Sequence, residues 1–279
     1  MIRLAIRVAR ADAEIALAAL LELVPAGVEE VDHGDTIEYA VYGAPGELPE
    51  LPALRAAAGA ALVGVTTTEV ADDWASRWRT FHEAVTIGGR LHVRAPWHDP
   101  PVAGAGLLDI AIDPAQAFGT GAHHTTRLCL EALLELEPAG PLVDLGCGSG
   151  VLAIAACKLG WRPVAGYDHE RESIAATRDN AAVNGVTLEA HDFDLLRDGP
   201  APSAPTVVAN LLRPLLLRVA AEGFAGEDPR VLVASGLLAH EADEVAAAFA
   251  RRGCHERSRR HGGEWAALTL VATSSPGSR

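Results

Sequence analysis

The chain has 279 residues, 49% of them apolar, and a formal net charge of −14 at pH 7. That length accommodates one large core or two modest ones, and the acidity excludes the cationic face a long nucleic acid requires, so no direct nucleic-acid binding is expected. No apolar run is long enough to span a membrane, and the opening MIRLAIRVARADAEIALAAL is broken by charge, so neither a membrane partner nor a signal peptide is expected and the chain reads as cytoplasmic.

Residues 1–68 read as a small α+β domain. IRLAIRV alternates as a strand, DAEIALAALLEL has helical periodicity behind a cap at Asp12, and Gly27 ends it. GVEEVDHGD and TIEYAVYG read as two strands joined through His33, Gly34 and Asp35, before a second helix in LPALRAAAGA and a fourth strand in LVGVTTTEV. This β-α-β-β-α-β order predicts a ferredoxin-like unit, and nothing in it carries catalytic chemistry.

Residues 69–99 read as a connector. In DDWASRWRTFHE the spacing puts Trp74, Trp78 and Phe81 on one helix face, suited either to a hinge or arm for a substrate or to burial at a domain seam. Strands at 84–95 precede the turn APWHDPP, and His92 and His98 lack partners at ligand spacing, so no metal site is expected. Residues 100–273 read as a second, α/β domain, followed by a disordered tail at 274–279. Its first part, DPAQAFGTGAHHTTRLCLEALLEL, holds Gly119, Thr120 and Gly121 in a glycine loop, with Thr125 or Thr126 as a helix cap. The residues alone leave open whether that loop closes over a ligand or is only a turn.

LVDLGCGSG at 142–150 is the most informative stretch. A buried strand runs into Gly146, Gly148 and Gly150 and then into the helix VLAIAACKLG. Val151 stands where a dinucleotide fingerprint needs Gly or Ala, and no Gly-Lys pair exists for a phosphate-binding loop. What fits is D-x-G-x-G-x-G with an acid ending the next strand: Asp168 in PVAGYDHE, placed to accept hydrogen bonds from a ribose diol. That is the pattern of Rossmann-like methyltransferases that bind S-adenosyl-L-methionine. Beyond it, ERESIAATRDNAAVNG reads as a helix ended by Asn184-Gly185, VTLEAHDFDLL as a strand carrying Asp192 and Phe193, and APTVVANLL and DPRVLVASG as two more. LLAHEADEVAAAFARRG reads as a helix, and CHERSRR with GEWAALTLVA as a closing strand pair, completing a seven-stranded Rossmann-like sheet. Cys129, Cys147, Cys157 and Cys254 form no C-x-x-C pair, which argues for reduced thiols packed as small hydrophobes.

Three stretches, DPAQAFGTGAHHTTRLCLEAL, DLGCGSG with its helix, and VVANLL at 207–212, resemble the signatures of the PrmA family, methyltransferases of large-subunit ribosomal protein L-eleven. The DDW-x-x-x-W helix and the small N-terminal domain are similar too, so the likeness covers nearly the whole chain. It implies that Gly146, Gly148 and the backbone beside them hold the methionine part of S-adenosyl-L-methionine, with Asp144 near its amino group. It also implies that Asp168 holds the ribose, Asp192 and Phe193 lie by the adenine, and Thr125, Thr126, Phe118 and Gly119 close on the methionine end. Asn210 stands where related amine methyltransferases place the Asn that orients the target nitrogen, and it is expected among the cofactor-binding residues as well. Here Asn210-Leu211-Leu212-Arg213 replaces the N-P-P-[YF] of glutamine and nucleobase enzymes, a shorter form that the PrmA family shares. The implied activity is methylation of lysine side chains, and of the N-terminal amine, of ribosomal protein L-eleven. Two alternatives stay open: a related lysine methyltransferase acting on another basic protein such as the electron-transfer flavoprotein β subunit, and an idle cofactor-binding docking protein.

Overall fold

Alternation in IRLAIRVA turns Leu4, Ile6 and Val8 to one side of strand β1 (Ile2–Ala9) and Arg3 and Arg7 to the other. In the computed structural model described here, residues 2–13, 16–17, 20, 28–43, 48–49, 54–55, 58–69, 83–102, 104, 106–113 and 123–273 are described. The chain divides into two units, Met1–Phe81 and His82–Arg279.

In the first unit β1 pairs with β3 (Thr36–Gly43) and β4 (Leu62–Glu69), and β2 (Glu29–Asp32) pairs with β3. The order is β2-β3-β1-β4 and every pairing is antiparallel. Leu4, Ile6 and Val8 meet Ile37, Tyr39 and Val41 in a core closed by Ala16, Leu20 and Leu54. On the opposite face the Glu38 carboxylate takes Arg3 at 2.8 Å and Arg7 at 2.7 Å. The β2–β3 turn falls where the sequence puts it: Gly34 has φ +81° and its N–H donates to Asp32 Oδ1 at 2.7 Å. After a 3-10 turn at Arg10–Asp12, the described residues of the first expected helix, Ala13, Ala16, Leu17 and Leu20, are helical, as are Leu54, Arg55 and Ala58 of the second; the other residues of the two stretches, apart from the 3-10 turn at Gly59–Ala61, lie outside the described residues. So do nearly all of the expected aromatic helix at 72–83 and the tail at 274–279.

The second unit opens with a three-stranded sheet, β5 (Val85–Ile87), β6 (Leu91–Arg94) and β7 (Leu108–Ala111). The stretch expected as a connector thus gives two strands to this unit, through the parallel β6–β7 pairing. Then come α1 (His124–Leu134), β8 (Leu142–Leu145), α2 (Val151–Leu159), β9 (Val164–Asp168), α3 (Arg171–Val183) and β10 (Glu189–Asp192). They are followed by β11 (Thr206–Asn210), α4 (Arg213–Glu222), β12 (Val231–Leu238), α5 (Ala242–Ala250), β13 (Cys254–Gly262) and β14 (Trp265–Ala272). The seven-stranded sheet runs β10-β9-β8-β11-β12-β14-β13, parallel except around β14. Helix α4 is not marked in the sequence, because RPLLLRVAAE is short and follows a strand whose apolar run continues into it.

Both sheet faces are covered, which is why β8 and β11 are apolar runs rather than alternating ones. Leu142, Val164, Val208 and Val233 pack with α1 and α2 on one side. Val143, Leu145, Val207, Ala209 and Leu232 pack with α4 and α5 on the other. β8 lies between β9 and β11, so the strand order reverses there and a crevice opens at the carboxyl ends.

Candidate active site

At that crevice β8 ends in a turn with Gly146, Gly148 and Gly150 at φ +70°, +52° and +80°. Glycine alone enters this region freely. A Cβ at Gly146 would lie 2.5 Å from Leu211 Cδ2, the end of a side chain that can turn away, so it is the positive φ that calls for glycine here. Asp168, ending β9, braces the turn: its Oδ2 accepts the Gly148 N–H at 2.9 Å and its Oδ1 the Glu170 N–H at 3.1 Å. A carboxylate has about four lone-pair positions, so these two bonds leave acceptor capacity for a ligand diol.

Asp144 is fully buried beneath the turn. Its Oδ2 accepts the Ala153 N–H in the first turn of α2 at 3.1 Å, while its Oδ1 has no hydrogen-bond partner among the described residues. Burial pushes its pKa up to about 7, opposed by the Ala153 N–H and assisted by the negative charge of Asp168. Cys147, inside the turn, is pushed up to about 12, mainly by burial, and is an inert thiol. All four cysteines are free and buried, as the scattered spacing implied.

On the other side of the switch point, Asn210 ends β11 and is half-buried. Its Nδ2 donates to Thr126 Oγ1 at 3.4 Å. Thr125 and Thr126 lie buried inside α1 rather than capping it. The cap is His123, whose Nδ1 accepts the Thr125 N–H at 3.3 Å and lies 2.8 Å from Thr125 Oγ1. An imidazole with an unprotonated Nδ1 does what an Asx cap does, a use of histidine the sequence rules do not rank. Burial, and then the neighbouring His124, hold its pKa below the ordinary value, which preserves that acceptor.

These groups border one cavity of about 410 Å³, within the usual size of a small-molecule site. Of the expected residues, Thr126, Gly146, Gly148, Asp168, Phe193 and Asn210 line it. Asp144 and Thr125 sit buried behind the wall, and Phe118 and Gly119 lie outside the described residues. Asp192 is exposed at the end of β10 and is not in the lining, whereas Asp194, two residues on, is. The Tyr167 ring packs edge-on to Phe193, with centroids 6.2 Å apart, and stacks on His191 at 5.1 Å. Reasoning from the sequence missed Glu170, Ser173, Leu211 and Leu215 in the lining. It also missed the polar stripe of Thr177 and Asn180 on α3 and Asn184 at its C-cap, legible as polar residues at i, i+3 and i+7 along a helix that must bury one face.

The family described as Ribosomal protein L11 methyltransferase (PrmA) matches residues 52–273. The chain belongs to this family. It is 36% identical over 276 residues, 89% of this chain and 90% of the relative, to a ribosomal protein L11 methyltransferase of Burkholderia multivorans. A relative of the same name from Geobacter metallireducens is 41% identical over 207 residues, 74% of this chain and 68% of that one. Among solved structures, the ribosomal protein L11 methylase of Lactobacillus delbrueckii subsp. bulgaricus superposes with a TM-score of 0.60 at 27% identity, covering 68% of this chain and 99% of that one. As a PrmA methyltransferase the chain uses S-adenosylmethionine as methyl donor. The residues present fit that molecule. The Asp144 Oδ1 is a buried acceptor with no partner among the described residues, the glycine turn offers backbone at positive φ beside the cavity, and Asp168 keeps lone pairs for a diol.

Proposed function

We propose that this enzyme methylates lysine side chains and the N-terminal amine of ribosomal protein L11. The observation that carries the reading is the convergence of Asn210, the glycine turn and Asp168 on one cavity, which puts an amine-orienting amide beside a nucleoside-binding edge. Bound there, S-adenosylmethionine supplies an electrophilic methyl on a sulfonium that leaves as a neutral thioether, so the protein needs no strong acid. Gly146, Gly148 and Asp144 would hold the methionine part, Asp168 the ribose, and Phe193 with Asp192 or Asp194 the adenine. Thr125, Thr126, Phe118 and Gly119 would close the methionine end. Asn210 would accept a hydrogen bond from the attacking amine through its side-chain carbonyl, its Nδ2 being turned to Thr126, and so aim the nitrogen lone pair. Alignment of this kind is worth about 7–11 kcal/mol of barrier. A lysine entering the apolar mouth beside Leu211 and Leu215 loses hydration, which lowers its pKa toward the neutral, reactive amine.

Residues 1–68 serve as a ferredoxin-like recognition domain, 69–99 as the connector, 100–273 as the catalytic domain and 274–279 as a tail. The β2-β3-β1-β4 order with all pairings antiparallel supports the first of these, since it is the strand order that the β-α-β-β-α-β reading requires. The buried free thiols suit a reducing cytoplasm. The test is to incubate the enzyme with purified L11 and methyl-labelled S-adenosylmethionine, then map the label by peptide mass spectrometry. Label on lysines and the N-terminus is expected; an unlabelled L11 beside a labelled alternative basic protein would reassign the substrate.

A further inference from the structure

Helix α3 touches the site without contributing to its lining beyond Ser173, yet one of its faces makes a set of buried polar contacts that helix packing alone does not require. Thr177 Oγ1 donates to the Gly148 carbonyl at 2.9 Å. Three residues on, Asn180 Nδ2 donates to the Ser149 carbonyl at 2.9 Å, while its Oδ1 accepts the Asp113 N–H at 3.0 Å. Asn184 accepts from the Ala111 N–H at 2.9 Å and donates to the Ala111 carbonyl at 2.7 Å, with a further bond to the Asn180 carbonyl at 2.8 Å. Thr177 and Asn180 are 0% and 3% exposed.

The two asparagines therefore differ in what they hold. Asn184 ties α3 only to the end of β7. Asn180 ties the residue that leaves β7, Asp113, to the glycine turn. In a trans peptide the N–H points away from the C=O, so pinning the Gly148 carbonyl toward α3 also fixes the direction of the Ser149 amide, while the Gly150 amide is held both by the pinned Ser149 carbonyl and by its own bond to the Cys147 carbonyl at 2.7 Å. Three of the five turn residues are glycines with wide conformational freedom; Asp168 holds the Gly148 N–H from the front, and the α3 pins hold the Gly148 and Ser149 carbonyls from behind.

We propose that Asn180 is a positioning residue for the methyl donor, which together with Thr177 preorganises the glycine turn from behind and couples it to the chain leaving β7 at Asp113. The proposal rests on the reading of this cavity as the S-adenosylmethionine site. Asn180→Asp keeps the shape and the acceptor for Asp113 but sets a carboxylate oxygen against the Ser149 carbonyl. Thr177→Val removes one hydroxyl donor and keeps the side-chain shape. Asn184→Asp makes the same chemical change as the first, with losses at the Ala111 and Asn180 carbonyls and none at the glycine turn.

The experiment measures the Kd of S-adenosylmethionine by calorimetry, the Tm without ligand, and KM and kcat separately, on the full chain and the three variants. Asn180→Asp and Thr177→Val are expected to raise the Kd and the donor KM by about tenfold with a smaller change in kcat, the effect of leaving a buried carbonyl without its donor. Asn184→Asp is expected to lower Tm while leaving the Kd within about twofold. If Asn180→Asp does not fold, Thr177→Val decides alone. A Kd that tracks Tm equally across all three, or one unchanged in both turn-facing variants, overturns the proposal. Failure of the unsubstituted chain to bind would instead overturn the reading of the cavity.

Discussion

At the scale of single residues, Asp144 has the most testable chemistry. Its folded pKa of about 7 lies well above the ordinary carboxylate value of 3.8, mainly through burial. Between those values the folded chain holds a proton that the unfolded chain has released, so this group makes the ligand-free protein less stable as pH rises through that window. Asp144→Asn removes the titration. Melting curves from about pH 5 to about pH 8 should show the unsubstituted enzyme losing Tm relative to the variant, with the gap closing again when S-adenosylmethionine is added. Identical pH slopes for the two proteins would contradict the assignment. Asn210 is expected to behave differently. Asn210→Ala should lower kcat by about a hundredfold while the Kd for the donor stays near its original value, because misalignment of the amine costs rate rather than cofactor grip.

At the scale of elements, the glycine turn and the first-unit sheet show two kinds of constraint. Gly146→Ala puts an L side chain at φ +70° and a Cβ 2.5 Å from Leu211 Cδ2; turning Leu211 away relieves the contact but leaves the backbone strain. Loss of donor binding with the sheet retained is expected, read by calorimetry alongside circular dichroism. In the first unit, the Arg3 guanidinium and, after it, Arg7 hold the Glu38 carboxyl below the usual range, against the opposing effect of burial. A depressed carboxylate contributes stability above its unfolded pKa and loses it as pH falls through the folded value. Glu38→Gln should therefore destabilise this unit near neutrality, and the difference should vanish in acid, a comparison accessible by hydrogen exchange on β1 and β3. These elements also show what was readable. Strands β1, β3, β8 and β11 follow from apolar periodicity or continuous apolar runs, while α4 and the His123 cap did not, since short helices and imidazole caps carry weak local signals.

At the scale of the whole molecule, the net charge of −14 bears on how a substrate arrives. An acidic enzyme acting on a basic protein gains encounter rate from the long-range field, and that gain is screened by salt. The kcat/KM for L11 is expected to fall as ionic strength rises, whereas the donor Kd, set inside the cavity, should change far less. A salt-independent kcat/KM would assign the acidity to solubility alone.

By itself the sequence determined the class of the catalytic unit, the glycine turn, the acid that ends the next strand and the asparagine that ends β11, because each depends on residue type and spacing along a short stretch. Only the tertiary structure decided that Asp194 rather than Asp192 lines the cavity, that Asp144 is buried with an unsatisfied oxygen, and that Asn180 spans from β7 to the turn. Those facts depend on which side of a strand end faces the crevice and on which backbone groups from distant segments meet. Strand register and helix docking set them, and no local pattern encodes either.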